Sequence, residues 1–156
     1  MSKKSIIISA IILIIIAVVA IYFSLPKNQN NKMEQTSNQQ TPSSFDIQGM
    51  KVEVLKQGTG EGAKAGDNIV VNYVGTLTNG TKFDSSIDRN QPFPYTLGQN
   101  QVIKGWELGL LGMKVGEERK LTIPPELGYG AQSPSPLIPA NSTLVFDITM
   151  LSINGK

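Results

Sequence analysis

The sequence predicts an α+β fold: a curled antiparallel β-sheet of about five strands wrapped over one short α-helix, preceded by one N-terminal transmembrane helix. Three observations predict it. Apolar residues recur every second position from Met50 onward, a single later stretch carries a helical period, and Ile6 to Phe23 is an apolar run broken only by Ser9.

The run comes first. Its 18 residues span roughly 27 Å as a helix, close to the hydrocarbon thickness of a bilayer. A cleaved signal peptide has a shorter apolar core and small residues at its cleavage site. Here Val18 and Ala20 lie inside the run, and Tyr22, Phe23, Leu25 and Pro26 make poor cleavage flanks. An uncleaved anchor over 6–23 is therefore expected, with secretion after cleavage as the alternative. Lys3 and Lys4 put residues 1–5 in the cytoplasm and the rest of the chain outside. With no cysteine in the chain, lipid attachment through a thiol is excluded.

Residues 24–44 read as a flexible polar linker. Lys27 to Ser44 is rich in Asn, Gln, Ser and Thr, and Met33 is its one large apolar residue. Such a segment buries too little surface to offset its ordering entropy. Its coil reach holds the C-terminal domain roughly 25 Å from the membrane.

That domain is expected over 45–156. Met50, Val52 and Val54 alternate with Lys51 and Glu53, and Ile69, Val71, Tyr73 and Leu77 share a period of two. Asn79 and Gly80 are expected to supply positive φ angles in a tight hairpin turn before Phe83. Ile103, Trp106 and Leu110 fall at i, i+3 and i+7 and predict the helix, with Gly112 as its stop. Leu121 with Ile123, and Leu144, Phe146, Ile148 with Met150, give two further strands. One helix cannot cover both faces of a sheet, so it is expected against the concave one.

Composition excludes several kinds of chemistry. The absence of Cys and His removes disulfides, thiolate or imidazole metal ligands, and Ser/His or Cys/His nucleophile pairs. No metal and no cofactor is expected. From Phe45 onward 10 basic residues face 11 acidic ones, a net charge of −1, which argues against nucleic acid as a partner. Gly58, Gly60 and Gly62 form a glycine-rich turn, but with no helix after it the turn reads as a plain loop. The remaining signal is a set of aromatic residues close to Pro and Gly: Tyr73, Phe83, Phe93, Tyr95, Trp106, Tyr129 and Phe146. Each alone reads as core.

Six stretches change that reading: Asn72-Tyr73-Val74-Gly75; Lys82-Phe83-Asp84-Ser85-Ser86; Asp88-Arg89-Asn90 with Pro92-Phe93; Val102-Ile103-Lys104-Gly105-Trp106-Glu107; Leu127-Gly128-Tyr129-Gly130; and Leu144-Val145-Phe146-Asp147. In order and spacing they resemble the FKBP-type peptidyl-prolyl cis/trans isomerases, from Val52 to Leu151. The resemblance implies an FKBP-like domain that speeds Xaa-Pro isomerisation in protein folding. It implies a hydrophobic cup with Trp106 as floor and Tyr73, Phe83, Phe93, Val102, Ile103 and Phe146 as walls. Tyr129, Leu137 and Ile138 come from the loop between the last two strands. The catalytic set implied is Tyr73, Phe83, Asp84, Ile103, Trp106, Tyr129 and Phe146, with Arg89, Phe93, Gln101, Val102, Leu137 and Ile138 binding substrate. Partners implied are proline-containing polypeptides and macrolide inhibitors of the FK type. In this resemblance the Ile103 N–H and the Tyr129 hydroxyl donate to ligand carbonyls.

Two positions depart from the family pattern. Pro134 stands where many relatives carry a histidine, and Gln101 where an acidic residue is common. Both are expected at the rim, altering sequence preference and stiffening the loop from Gln132 to Pro139, whose three prolines fix φ. Asp84 keeps an alternative role, capping a turn or pairing with Arg89.

Such a pocket needs no reagent. Rotation about an Xaa-Pro bond is slow because amide resonance, worth a barrier of ~20 kcal/mol, is lost on twisting. Removing water from the planar amide while gripping the proline ring favours the twisted form. The rival reading is a membrane-tethered module or chaperone that holds proline segments with little turnover.

Overall fold

The computed structural model describes residues 43–156. The alternating segments form seven strands: β1 (Ser43–Ile47), β2 (Met50–Lys56), β3 (Asn68–Leu77), β4 (Lys82–Ser85), β5 (Phe93–Thr96), β6 (Glu118–Ile123) and β7 (Leu144–Ile153). One α-helix, α1 (Lys104–Gly109), lies between β5 and β6, and a short 3₁₀ turn covers Pro125–Leu127. The strands pair antiparallel in the order β1-β2-β6-β7-β3-β4, with β5 pairing the other end of β3.

Seven strands replace the expected five or so, and the two extra ones are the least periodic. β5 holds Pro94, which cannot donate to a ladder and is tolerated because β5 has only β3 as a neighbour. β1 begins at Ser43, two residues inside the segment expected to be linker, and its side chains are mostly exposed. Its order comes from backbone pairing with β2 across Gln48 and Gly49, whose φ angles of 52° and 82° make a tight hairpin turn. The turn after β3 also differs from expectation. Only Gly80 has a positive φ, +86°, while the Asn79 side chain accepts the Thr81 N–H at 3.0 Å.

The inner face of the sheet carries Met50, Val52, Ile69, Val71, Leu121, Ile123, Leu144, Ile148 and Met150, all buried. α1 lies on β6 with very close backbone approach. A Cβ on Gly105 would stand 2.6 Å from Ile123 Cγ2, and one on Gly109 2.7 Å from Leu121 Cδ1, so glycine at both positions sets the depth of the helix.

A buried ion pair fixes the other end of α1. Arg119 donates through Nε to Glu117 Oε1 at 2.5 Å and through Nη1 to the carbonyls of Gly109 and Leu111 at 2.7 and 3.1 Å. These carbonyls lie where a helix leaves acceptors unpaired, so a strand side chain satisfies the helix end. Glu117 in turn accepts the Lys114 N–H at 3.0 Å. The consequence for function is a fixed Trp106, projecting from the first turn of a helix pinned at both ends.

Among the described residues no helix is long and apolar enough to cross a membrane. The expected anchor over 6–23 lies outside the described residues, as does the linker before Ser43.

Candidate active site

Where β3, β4, β5 and β7 meet the start of α1, the sheet leaves a cavity of about 650 Å³. Trp106 forms its base and is 4% exposed. Tyr73 and Phe146 stand edge-on to the indole, with ring centroids at 5.0 and 5.2 Å and interplanar angles of 83° and 84°. Phe83 stands edge-on to Phe146 at 5.5 Å, and Phe93 to Trp106 at 6.0 Å. Edge-to-face packing favours each pair and leaves the base and walls of the cavity aromatic.

The strand register explains why these rings converge. Gly75 pairs with Asp84 on one side and Phe146 on the other. A Cβ on Gly75 would sit 2.6 Å from Phe83 Cε2 and 2.9 Å from Phe146 Cε1. Only glycine lets both rings lie over this strand. It is a site-building residue within Asn72-Tyr73-Val74-Gly75 that residue type alone does not mark as one.

The polar side of the cavity is a single network. The Tyr73 hydroxyl donates to Asp84 Oδ2 at 2.5 Å and accepts from Arg89 Nη2 at 2.9 Å. Arg89 Nη1 donates to Asp84 Oδ1, which also accepts the Ser85 N–H at 2.8 Å. Ser86 anchors this corner: its Oγ accepts the Tyr73 N–H at 2.9 Å and its own N–H donates to the Tyr73 carbonyl. Partial burial pushes the Asp84 carboxyl up, but the Tyr73 hydroxyl, Arg89 and the Ser85 N–H outweigh it and hold it below the ordinary carboxylate range. Burial first, and then its bond to Asp84, push the Tyr73 phenol up despite Arg89. Burial and the Asp84 charge likewise raise Tyr129. At neutral pH the site thus presents an ionised, neutralised carboxylate and two protonated phenols.

The remaining wall is backbone and loop. Asn100, Gln101, Val102 and Ile103 come from the segment before α1, and Tyr129, Pro134, Ser135 and Ile138 from the segment between β6 and β7. The second segment is bonded to itself, with Ser133 Oγ donating to the carbonyls of Ser135 and Ile138 at 3.0 and 2.7 Å. Among the described residues, no acceptor meets the Ile103 N–H or the Tyr129 hydroxyl, so both are available as donors.

Of the thirteen residues expected at the site, eleven line the cavity. Arg89 stands behind Asp84 and Tyr73 instead of on the wall, and its guanidinium lies 5.8 Å from the Tyr73 ring centroid. Leu137 is 53% exposed and turned away, with its neighbour Ile138 filling the wall. This differs from its expected place: Ser135 and Ile138 pair as an isolated bridge and both line the cavity, while Pro136 and Leu137 at the tip between them do not. Asn100 and Ser135 line the cavity without having been expected there. Asn100 has a φ of +54°, which a single sequence signals only weakly.

Residues 59–151 match the family described as FKBP-type peptidyl-prolyl cis-trans isomerase. The chain belongs to that family. This isomerase is 52% identical over 110 residues to FK506-binding protein 1A of Neurospora crassa, covering 70% of this chain and 92% of that one. It is 50% identical over 109 residues to a peptidyl-prolyl cis-trans isomerase of Schizosaccharomyces pombe, covering 69% of this chain and 97% of that one. Among solved structures it is similar to FkpA from Escherichia coli, with a TM-score of 0.64 and 44% identity. That match covers 70% of this chain and about half of FkpA, 51%.

Proposed function

We propose that this isomerase catalyses Xaa-Pro rotation by desolvation in the aromatic cavity, and that it works from the outer face of a membrane. The carrying observation is the cavity over Trp106, where aromatic rings surround one charge that is already neutralised. The prolyl ring is held by Trp106, Phe146 and Ile103. Tyr73, Phe83 and Asp84 surround the rotating carbonyl. The Ile103 N–H and the Tyr129 hydroxyl orient the flanking carbonyls of the substrate.

No bond is made or broken, so the rate gain comes from binding the twisted amide better than the planar one. Water stabilises the planar amide through its charge-rich oxygen; an apolar cavity withdraws that stabilisation. Asp84 contributes through the field it sets with Arg89, facing the carbonyl as charge leaves its oxygen. The aromatic walls also suit an apolar macrolide, and relatives named as FK506-binding proteins support a ligand of that type.

The proposed location rests on the apolar run Ile6 to Phe23 with Lys3 and Lys4 before it. In that setting the clients are exported proteins whose folding waits on proline isomerisation, a step of tens of seconds.

An exchange assay on a short Xaa-Pro peptide tests the mechanism. Phe146→Ala and Asp84→Ala should each lower kcat/KM while the protein keeps its fold, the former by roughly 10- to 100-fold. An unchanged rate in folded Phe146→Ala contradicts the assignment. Protease accessibility on intact cells, with the mass of the membrane-bound protein, tests location.

A further inference from the structure

We infer that Glu107 is a positioning residue for the substrate rim: its buried carboxylate holds the Gly98 backbone and so sets where Asn100, Gln101 and Val102 meet the peptide beyond its proline. The inference deepens the proposed use of the cavity and rests on it. Glu107 follows Trp106 on α1 and is only 9% exposed, yet it does not line the cavity. Its Oε2 accepts the Gly98 N–H at 2.6 Å, while its Oε1 is buried with no partner among the described residues.

A carboxylate taken out of water with one bond made and one oxygen unpaired is unfavourable where it stands. What that one bond holds gives it a purpose. Upstream, Leu97 is tied by its N–H to the Asp67 carbonyl and by its carbonyl to the Gly66 N–H, at 3.0 and 2.8 Å. Downstream, the Ile103 carbonyl accepts the Trp106 and Glu107 N–H groups of α1. Between these points, among the described residues, the Gly98–Glu107 bond is the one hydrogen bond that ties this segment to the rest of the fold. Gly98 has a φ of +85° and sits against Ala65, 3.0 Å from where its Cβ would be, so the segment turns there toward the cavity. A charge-assisted bond of this length is stronger than a neutral one, and it couples the rim directly to the helix that carries Trp106.

The test uses the full-length protein and two Xaa-Pro peptides, one ending just after proline and one extended by several residues. Glu107→Ala should lower kcat/KM for the extended peptide by roughly 10- to 100-fold, with the loss in KM, and affect the short one far less. Glu107→Gln keeps a carbonyl acceptor for the Gly98 N–H and should stay within about threefold of the parent. A purely structural role would instead cut the active fraction, lowering kcat for both peptides with KM unchanged, and that result overturns the proposal. Should Glu107→Ala fail to fold, amide exchange in the unaltered protein decides. The Gly98 N–H should exchange at least about tenfold more slowly than the Gln99 N–H, and equal exchange overturns the proposal. Phe146→Ala runs in parallel: loss there with an unaffected Glu107→Ala rejects the Glu107 role alone, whereas no loss in either rejects the cavity itself.

Discussion

Two arginine–carboxylate pairs in this molecule have the same chemistry and opposite surroundings. Arg119 and Glu117 have side chains 7% and 4% exposed, and every bond they make beyond each other goes to backbone at or near the end of α1. Arg89 and Asp84 are 47% and 39% exposed, and they share the Tyr73 hydroxyl at the edge of the cavity. A buried pair is an all-or-nothing structural device, because losing one partner strands a charge out of water. A half-exposed pair contributes little to stability and is free to serve the site. One pair holds the fold, and the other borders the cavity through Asp84.

The largest expected effect comes from breaking the buried pair. Arg119→Ala leaves the buried Glu117 carboxylate without its counter-charge, with only the Lys114 N–H still bonded to it, and should destabilise the protein by about 3–5 kcal/mol in chemical denaturation. The protein that remains folded should keep its KM. Arg89→Ala is expected to reverse this pattern. Its denaturation midpoint should stay close to that of the parent, while kcat/KM falls by roughly three- to tenfold as Asp84 and Tyr73 lose their fixed geometry. If Arg89→Ala unfolded the protein and Arg119→Ala did not, the division of labour would be wrong.

The pH dependence gives a smaller and sharper effect. The Asp84 pKa is depressed in the fold, so its stabilisation is present above the unfolded carboxylate value, near 3.9, and is lost as pH falls through the lower folded value. The phenols of Tyr73 and Tyr129 are raised, so their contribution holds below the ordinary tyrosine range and is lost only as pH rises through the folded values. With no His or Cys in the chain, kcat/KM should be flat from about pH 5 to 9. A bell-shaped profile centred near neutrality would show proton transfer that this site has no group to perform. The smallest effect belongs to Leu137→Ala, expected to change stability by less than about 0.5 kcal/mol and the rate hardly at all.

Much of the fold was legible because it rests on period and on close packing. Ile69 to Leu77 and Leu144 to Met150 alternate strongly, and Ile103, Trp106 and Leu110 mark the helix. β1 and β5 were not legible: Ser43–Ile47 is ordered by a neighbour's backbone, and Phe93–Thr96 is short and interrupted by Pro94. At the site, aromatic residues within recognisable stretches could be named from sequence. The turn that sends Leu137 outward and Ile138 inward depends on Ser133 bonding to two carbonyls, a loop geometry that residue types alone do not dictate. Gly75 and Glu107 escaped for another reason. Their importance lies in distances to Phe83, Phe146 and Gly98, which exist only after the strands and helix are assembled.

The central claim is that a prolyl ring settles on Trp106, and the chain offers a direct reporter because this is its single tryptophan. Titrating the protein with a proline-containing peptide should change the tryptophan emission in a saturable way, with the same half-point as inhibition by that peptide of the isomerisation assay, and Phe146→Ala should weaken both together. Saturable inhibition with an unaltered Trp106 emission would contradict the account, since the peptide would then be acting somewhere other than over the indole.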